Sequence, residues 1–200
     1  MPEEPLSACE TAASRASNGD TDAFQRLVHA FQDDIYRLVF FRIQSEMDAQ
    51  DLTQEIFVTA MKKIDSLKSP GLFRSWIYRI AVNKVRDHIR KKKLLGLFSP
   101  FPADEGQALS DGRSHDDGSE NQEERLYRKE FWQNVHKLTA SLSAMEKEVF
   151  MLRFFDQREL TEIAVILKRK ESTVKTHLYR ALGKIKANPE KNLLLEGIYA

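Results

Sequence analysis

At 200 residues, with 42% hydrophobic and 30% charged side chains, the chain is long enough for one or two domains that each bury a core. It has no apolar run of the ~18–20 residues that a membrane span needs, and its start, MPEEPLSACET, lacks the basic and apolar pattern of a secretory leader, so a cytoplasmic protein is expected. Cys9 is the single cysteine and the five histidines are scattered, which argues against disulfides, cofactor-binding metal sites and metal catalysis.

The formal net charge of +1 conceals alternating blocks. Acids prevail from Thr21 to Met61, bases from Lys62 to Lys93, acids again from Leu94 to Glu124, and bases from Lys168 to Lys186. Such segregation points to several partners of different sign.

Residues 1–19 are small and polar and read as a loose tail or a weak helix. Asp20 or Thr21 can cap a helix through His29, and a second helical pattern carries Ile35, Leu38, Val39 and Ile43. Between Asp48 and Asp65, Ala49, Leu52, Ile56, Ala60 and Ile64 recur at helical spacing, widened by Phe57 and Met61. Asp48, Asp51 and Glu55 stack on the other side at i, i+3 and i+7, with Gln54 beside them. Like charges at this spacing destabilise a lone helix by ~0.2–0.5 kcal/mol, so the acids do nothing for the helix that bears them. They are either a solvated face or a docking stripe for a basic partner, and the pattern by itself leaves both open. A catalytic pair is disfavoured because no second reactive group accompanies them.

Ser66 to Leu72 reads as a loop from its Ser-Pro-Gly content, and Phe73 to Lys93 as one amphipathic helix. Ile77, Ala81, Val85 and Ile89, with Phe73 and Ile80, form the apolar stripe of that helix. Arg79, Asn83, Arg86 and Arg90 line a second face at i, i+4, i+7 and i+11. Cations suit phosphates and an amide suits a base edge, so this face fits a nucleic acid, although a solvated basic face remains the plain alternative. Trp76 and Tyr78 add the aromatic character that stacks unpaired bases; burial in the core is the competing reading, favoured in part for Trp76.

Residues 96–122 are rich in Gly, Pro and acids and have no sustained period, which reads as a flexible acidic linker. Helical patterning resumes at Glu123, with Leu126, Phe131, Val135 and Leu138. Ser143 and Glu146 form a capping box. A short helix from Leu160 to Leu167, a turn at Lys168–Lys170 and a helix from Glu171 to Lys186 have helix-turn-helix spacing. Thr173, Lys175, Thr176, Tyr179 and Arg180 lie where the second helix would meet a major groove. Lys168 stands where Gly usually turns the chain, at a cost of ~1–2 kcal/mol, and Glu159 and Lys170 are poor caps.

Together these residues resemble a known family. DAQDLTQEIF and FRSWIYRIAVNKVRDHIRKKK are similar to the second conserved region of bacterial sigma factors, and LSAMEKEVFMLRFFDQRELTEIAVILKRKESTVKTHLYRALGKIK to the fourth. Having those two regions alone is the pattern of the extracytoplasmic-function (ECF) subfamily. The resemblance implies an all-α chain of two small helical domains, residues 20–95 and 123–187, joined by the linker and followed by a tail, 188–200. It implies a non-enzymatic factor that directs core RNA polymerase to promoters of a stress- or envelope-responsive regulon and uses no cofactor. Asp48, Asp51, Gln54 and Glu55 would dock on the β′ coiled-coil, and the C-terminal domain on the β flap. Leu67, Phe73 and Asn83 would read the −10 strand, with Trp76 supporting the pocket and Arg79, Arg86 and Arg90 holding the backbone. Thr173, Lys175, Thr176, Tyr179 and Arg180 would read the −35 duplex. An anti-sigma factor is the implied regulator. A stand-alone helix-turn-helix regulator is the alternative, and it leaves the acid-striped and basic helices unexplained.

Overall fold

The computed structural model describes residues 7–96 and 122–187, with side chains from residue 130 onward in the second stretch. The acidic linker and the C-terminal tail inferred above fall outside the described residues, apart from the linker's first and last positions. All regular structure among the described residues is helical: α1 (Ala8–Ser17), α2 (Thr21–Ile43), α3 (Glu46–Lys63), α4 (Phe73–Leu94), α5 (Gln122–Thr139), α6 (Ala144–Phe154), α7 (Leu160–Leu167) and α8 (Glu171–Lys186). Two 3₁₀ turns, Ile64–Ser66 and Pro70–Leu72, carry the chain from α3 into α4.

Residues 8–17 are a helix and not a loose tail. Ser7 caps it, its Oγ accepting from the Glu10 N–H at 3.2 Å while the Glu10 carboxylate accepts from the Ser7 N–H at 2.8 Å. Ala13 and Ala16 are buried in the core that α1 shares with α2, small enough for two backbones to approach closely. The other end of α1's contact is the Pro70–Leu72 turn. Gly71 lets the Glu10 carboxylate lie against that turn, since a Cβ there would come within 2.7 Å of Glu10 Oε1.

The two helices expected on either side of residue 30 are one, α2, because no glycine or proline interrupts Thr21 to Ile43. Asp20 caps it, accepting from the Ala23 N–H at 2.9 Å. Its far end turns on Gln44, at φ 59°, whose side-chain amide donates to the carbonyls of Phe40 and Phe41. Ser45 then caps α3.

In the second half, the capping box at Ser143 and Glu146 opens α6 as the sequence indicates. Glu146 is more than a cap: it is buried and accepts from Lys184 Nζ of α8 at 2.7 Å. The Lys184 and Ser143 hydrogen bonds hold its carboxyl down to about 2 from an ordinary 4.5. Glu146→Ala is therefore expected to destabilise this half by ~0.5–2 kcal/mol, the usual range for losing a cap. The contribution is complete above pH 4.5 and fades as pH falls through about 2. Thermal unfolding from pH 7 down to acid checks this: the wild-type advantage over the variant should shrink on acidification.

The helix-turn-helix forms with the turn the sequence made doubtful. Lys168 sits in the left-handed region, φ 51° and ψ 51°, and the Arg169 N–H closes the turn on the Ala164 carbonyl at 2.9 Å. Glu162 accepts from the Glu159 N–H at 3.0 Å, making up for the weak cap, while Lys170 gives α8 no side-chain cap. Lys168→Gly removes the Cβ penalty and is expected to stabilise the protein by about 1 kcal/mol. A chemical-denaturation midpoint at or below that of the wild type would contradict this.

The two halves do not stand apart. Val149, Leu152, Ile163, Ile166, Val174 and Leu178 are continuous with the core built from α1 to α4. At the seam Arg42 of α2 is buried, donating to Glu148 at 2.9 Å and to Asp156 at 2.8 Å. Burial opposes the Arg42 charge, but the Asp156 and Glu148 carboxylates outweigh it and raise the guanidinium above its usual value. Burial conversely pushes the Asp156 carboxyl up, against the pull of Arg42.

Candidate functional site

Three faces carry the residues singled out by the sequence. The first is on α3. Asp48 and Glu55 are not free: Lys92 of α4 pairs with Asp48 and Lys84 with Glu55, while His88 Nε2 lies 4.0 Å from Asp48. Burial works to raise the Asp48 carboxyl, yet its bonds to Lys92 and Ser45 bring it below the ordinary value. Half of the acidic stripe thus ties α3 to α4 through Lys84 and Lys92, with His88 between them on the same face. Asp51 and Gln54 are exposed and take part in no side-chain hydrogen bond or ion pair among the described residues.

Sequence reasoning missed what flanks them. Met47, Val58 and Met61 are 72%, 52% and 51% exposed. Met61 was expected to widen the buried stripe, but it faces solvent. Met47, Asp51, Gln54, Val58 and Met61 are spaced by 4, 3, 4 and 3 residues, which is the seam of a coiled coil. The spacing was readable all along. With apolar residues on both sides of α3, only the fold shows which side is left uncovered.

The second face is on α4 and the turns before it. Phe73, a candidate strand reader, is fully buried with its ring 5.4 Å from Phe31 and 5.8 Å from Trp76. It belongs to the core and can only position its neighbours. Trp76 is also buried, at 5% exposure, with its edge reaching a small hollow lined by Leu67, Leu72 and Arg79. Tyr78 is excluded from stacking on a base as placed here: it is 2% exposed beneath the Arg158 guanidinium, 5.0 Å from its ring centre. Burial pushes its phenol up to about 12. Asn83 and Arg86 are exposed and Arg79 is half-buried, and the three line one cleft. Arg90 lies beyond the cleft lining and pairs with Asp87 at 3.0 Å.

The third face is the outer side of α8. Tyr179 is 71% exposed and Arg180 is exposed beside it. Lys175 pairs with Glu171 one turn back at 2.7 Å, the Thr176 hydroxyl donates to the Ser172 carbonyl, and Thr173 is half-buried. No group of His, Cys, Asp and Glu among the described residues could hold a metal ion, and no described helix is long and apolar enough to cross a membrane.

A basic, amide-bearing helix, a helix-turn-helix and a coiled-coil-like seam on one chain define a transcription factor with several macromolecular contacts. Comparison with known proteins gives the class. Residues 27–94 match the family Sigma-70 region 2, and residues 132–185 match Sigma-70, region 4. The chain is 31% identical over 172 residues to ECF RNA polymerase sigma factor SigW of Bacillus subtilis (strain 168), covering 83% of this chain and 88% of that one. It is 29% identical over 172 residues to the ECF RNA polymerase sigma-E factor of Escherichia coli (strain K12), covering 86% and 89%. Among solved structures, CnrH in complex with the cytosolic domain of CnrY aligns with a TM-score of 0.66 at 22% identity, covering 96% of this chain and 99% of that one. RpoE in complex with the anti-sigma factor NepR from Bartonella quintana aligns with a TM-score of 0.59 at 19% identity, over 86% and 96%. The fold is shared with both. The chain belongs to the ECF sigma factors.

Proposed function

We propose that the chain binds core RNA polymerase in the cytoplasm and directs it to promoters, with its three faces dividing the work. Residues 20–95 act as the polymerase-docking and −10-reading domain, and residues 123–187 as the −35-reading domain. The α3 seam, with Asp51 and Gln54 at its centre, meets the β′ coiled-coil; Asp48 and Glu55 border it while fixing α3 to α4. Arg79, Asn83 and Arg86 hold and read the opened −10 strand, Leu67 and Trp76 shape the hollow beside them, and Arg90 adds backbone attraction once drawn from Asp87. Thr173, Lys175, Thr176, Tyr179 and Arg180 face the −35 duplex, while the rest of that domain sits on the β flap.

The observation that carries this reading is the exposed, heptad-spaced seam on α3, apolar at Met47, Val58 and Met61 and polar at Asp51 and Gln54. A stand-alone helix-turn-helix regulator has no use for it. The chemistry of RNA synthesis belongs to the polymerase, so the chain itself needs no catalytic group or cofactor. Its contribution is address and strand opening. Two modest DNA contacts on one chain reinforce each other through effective concentration. A base drawn from the stack costs a few kcal/mol, which stacking at ~1–3 kcal/mol per base offsets. A regulatory anti-sigma factor is proposed on the precedent of RpoE with NepR. Run-off transcription with purified core polymerase and a promoter library tests the whole reading. A set of start sites dependent on the chain is expected; the same products from core alone would refute it.

A further inference from the structure

We propose that α1 braces the loop beside the −10-reading hollow, and that the contact of Glu10 with Gly71 tunes base selectivity by fixing where Leu72 and Leu67 stand. The inference rests on the −10 reading proposed above. It concerns a helix that lies outside residues 27–94, the stretch that matches Sigma-70 region 2.

The loop has little of its own to hold it in place. Two single 3₁₀ turns bound it, and Ser66, Leu67, Lys68 and Leu72 line the hollow beside Trp76 and Arg79. Its hydrogen bonds are local. The Leu67 N–H donates to the Ile64 carbonyl at 2.9 Å, the Leu72 N–H to the Ser69 carbonyl at 3.0 Å, and the Ser66 hydroxyl to the Lys63 carbonyl at 2.6 Å. None among the described residues ties the loop to a distant element. Hydrogen-bond geometry in 3₁₀ turns is poor, so packing has to decide where such a loop sits. Besides α3 and α4, which the loop joins, α1 packs against both turns.

That packing is specific at one point. Gly19 and Gly96 have positive φ, but Gly71 does not, so its backbone makes no demand for glycine. The demand is for space. The three atoms nearest to a Cβ at position 71 all belong to Glu10, the closest at 2.7 Å. Glu10 is not free to swing aside, because its other carboxylate oxygen accepts from the Ser7 N–H at 2.8 Å and closes the cap of α1. Cys9, the residue before it, packs on the core, and Ala13 is buried one turn further on. The first turn of α1 is thus anchored where it presses Glu10 against the loop. Any displacement of Gly71 passes straight to Leu72, the next residue and part of the hollow's lip. A pocket selects a base through its shape, so a moved lip changes the selection. Glu10 and Gly71 are positioning residues that need touch no DNA themselves.

Four full-length variants test the brace: Gly71→Ala, Glu10→Ala, the two combined, and Glu10→Gln. Initiation by the holoenzyme is measured on matched and mismatched −10 templates, with core affinity and −35 dependence as controls. Gly71→Ala should lower the matched-to-mismatched ratio about fivefold or more and leave both controls within about twofold of wild type. Exchange of the Leu67 and Leu72 amides should quicken in the same variant. In the Glu10→Ala chain the added methyl no longer meets a carboxylate, so Gly71→Ala should change the ratio there by less than about twofold. Glu10→Gln keeps both the shape and the capping ability of the side chain, and should behave as wild type. An unchanged ratio in Gly71→Ala overturns the proposal, as does an equal loss with and without Glu10. If Gly71→Ala loses helix content by circular dichroism, Glu10→Ala decides: it should lower the ratio where Glu10→Gln does not, and equal ratios refute the brace. A wild type with no preference among −10 sequences sinks the −10 reading and the brace together; a selective wild type with equally selective variants sinks the brace alone.

Discussion

Asp51→Lys combined with Val58→Asp is expected to weaken binding to core RNA polymerase about 100-fold, or some 2.7 kcal/mol. Both positions lie on the exposed seam of α3, one supplying charge and the other apolar contact. Central residues of a docked interface each contribute ~1–2 kcal/mol or more when removed, and a reversed charge adds repulsion. The fold should not notice. Asp51 has no partner among the described residues and Val58 is 52% exposed, and surface changes of this sort stay within about 0.5 kcal/mol. Glu55→Lys is the poorer test, because it also breaks the pair with Lys84 of α4. Anisotropy titration of the labelled chain with core polymerase measures the effect. An affinity within about threefold of wild type, or ~0.6 kcal/mol, would remove α3 from the docking surface.

The distinction between Asp51 and its neighbours marks what the sequence could and could not convey. Periodicity located α3, α4, α6, α7 and α8 because each has a continuous apolar stripe and a recognisable start or stop. It failed where the stripe was ambiguous. Apolar residues encircle much of α3, so Met61 could be assigned to either side, and it is the solvent side that holds it. Phe73 stands at the head of α4, where a reader of DNA and a core residue look alike, and its packing on Phe31 depends on a helix some forty positions earlier. Helix α1 gave almost no signal because its buried residues, Ala13 and Ala16, contribute little more than a methyl group each. The ion pairs of Arg42 were beyond reach for a different reason. Contacts across more than a hundred residues leave no local pattern, and a buried arginine at the end of α2 reads as an ordinary surface charge.

The same argument governs the face of α4 proposed to read the −10 strand, where charge and amide should separate cleanly on substitution. Asn83→Ala is expected to reduce discrimination between matched and mismatched −10 sequences by ~1–3 kcal/mol, or about 5- to 150-fold. Asn83 is exposed, makes no side-chain hydrogen bond among the described residues, and stands between Arg79 and Arg86 on the cleft. Its amide can both donate to and accept from a base edge, but it carries no charge. Its loss should therefore leave the overall attraction for DNA and the salt dependence of that attraction almost unchanged. Arg86→Ala should do the reverse, weakening binding to every sequence and lowering the salt slope by about one while leaving the ratio of matched to mismatched initiation intact. Abortive-initiation rates on the two templates, measured across a salt series for both variants, resolve the pair. If Asn83→Ala keeps wild-type selectivity while Arg86→Ala loses it, the guanidinium is the reader and the amide is not.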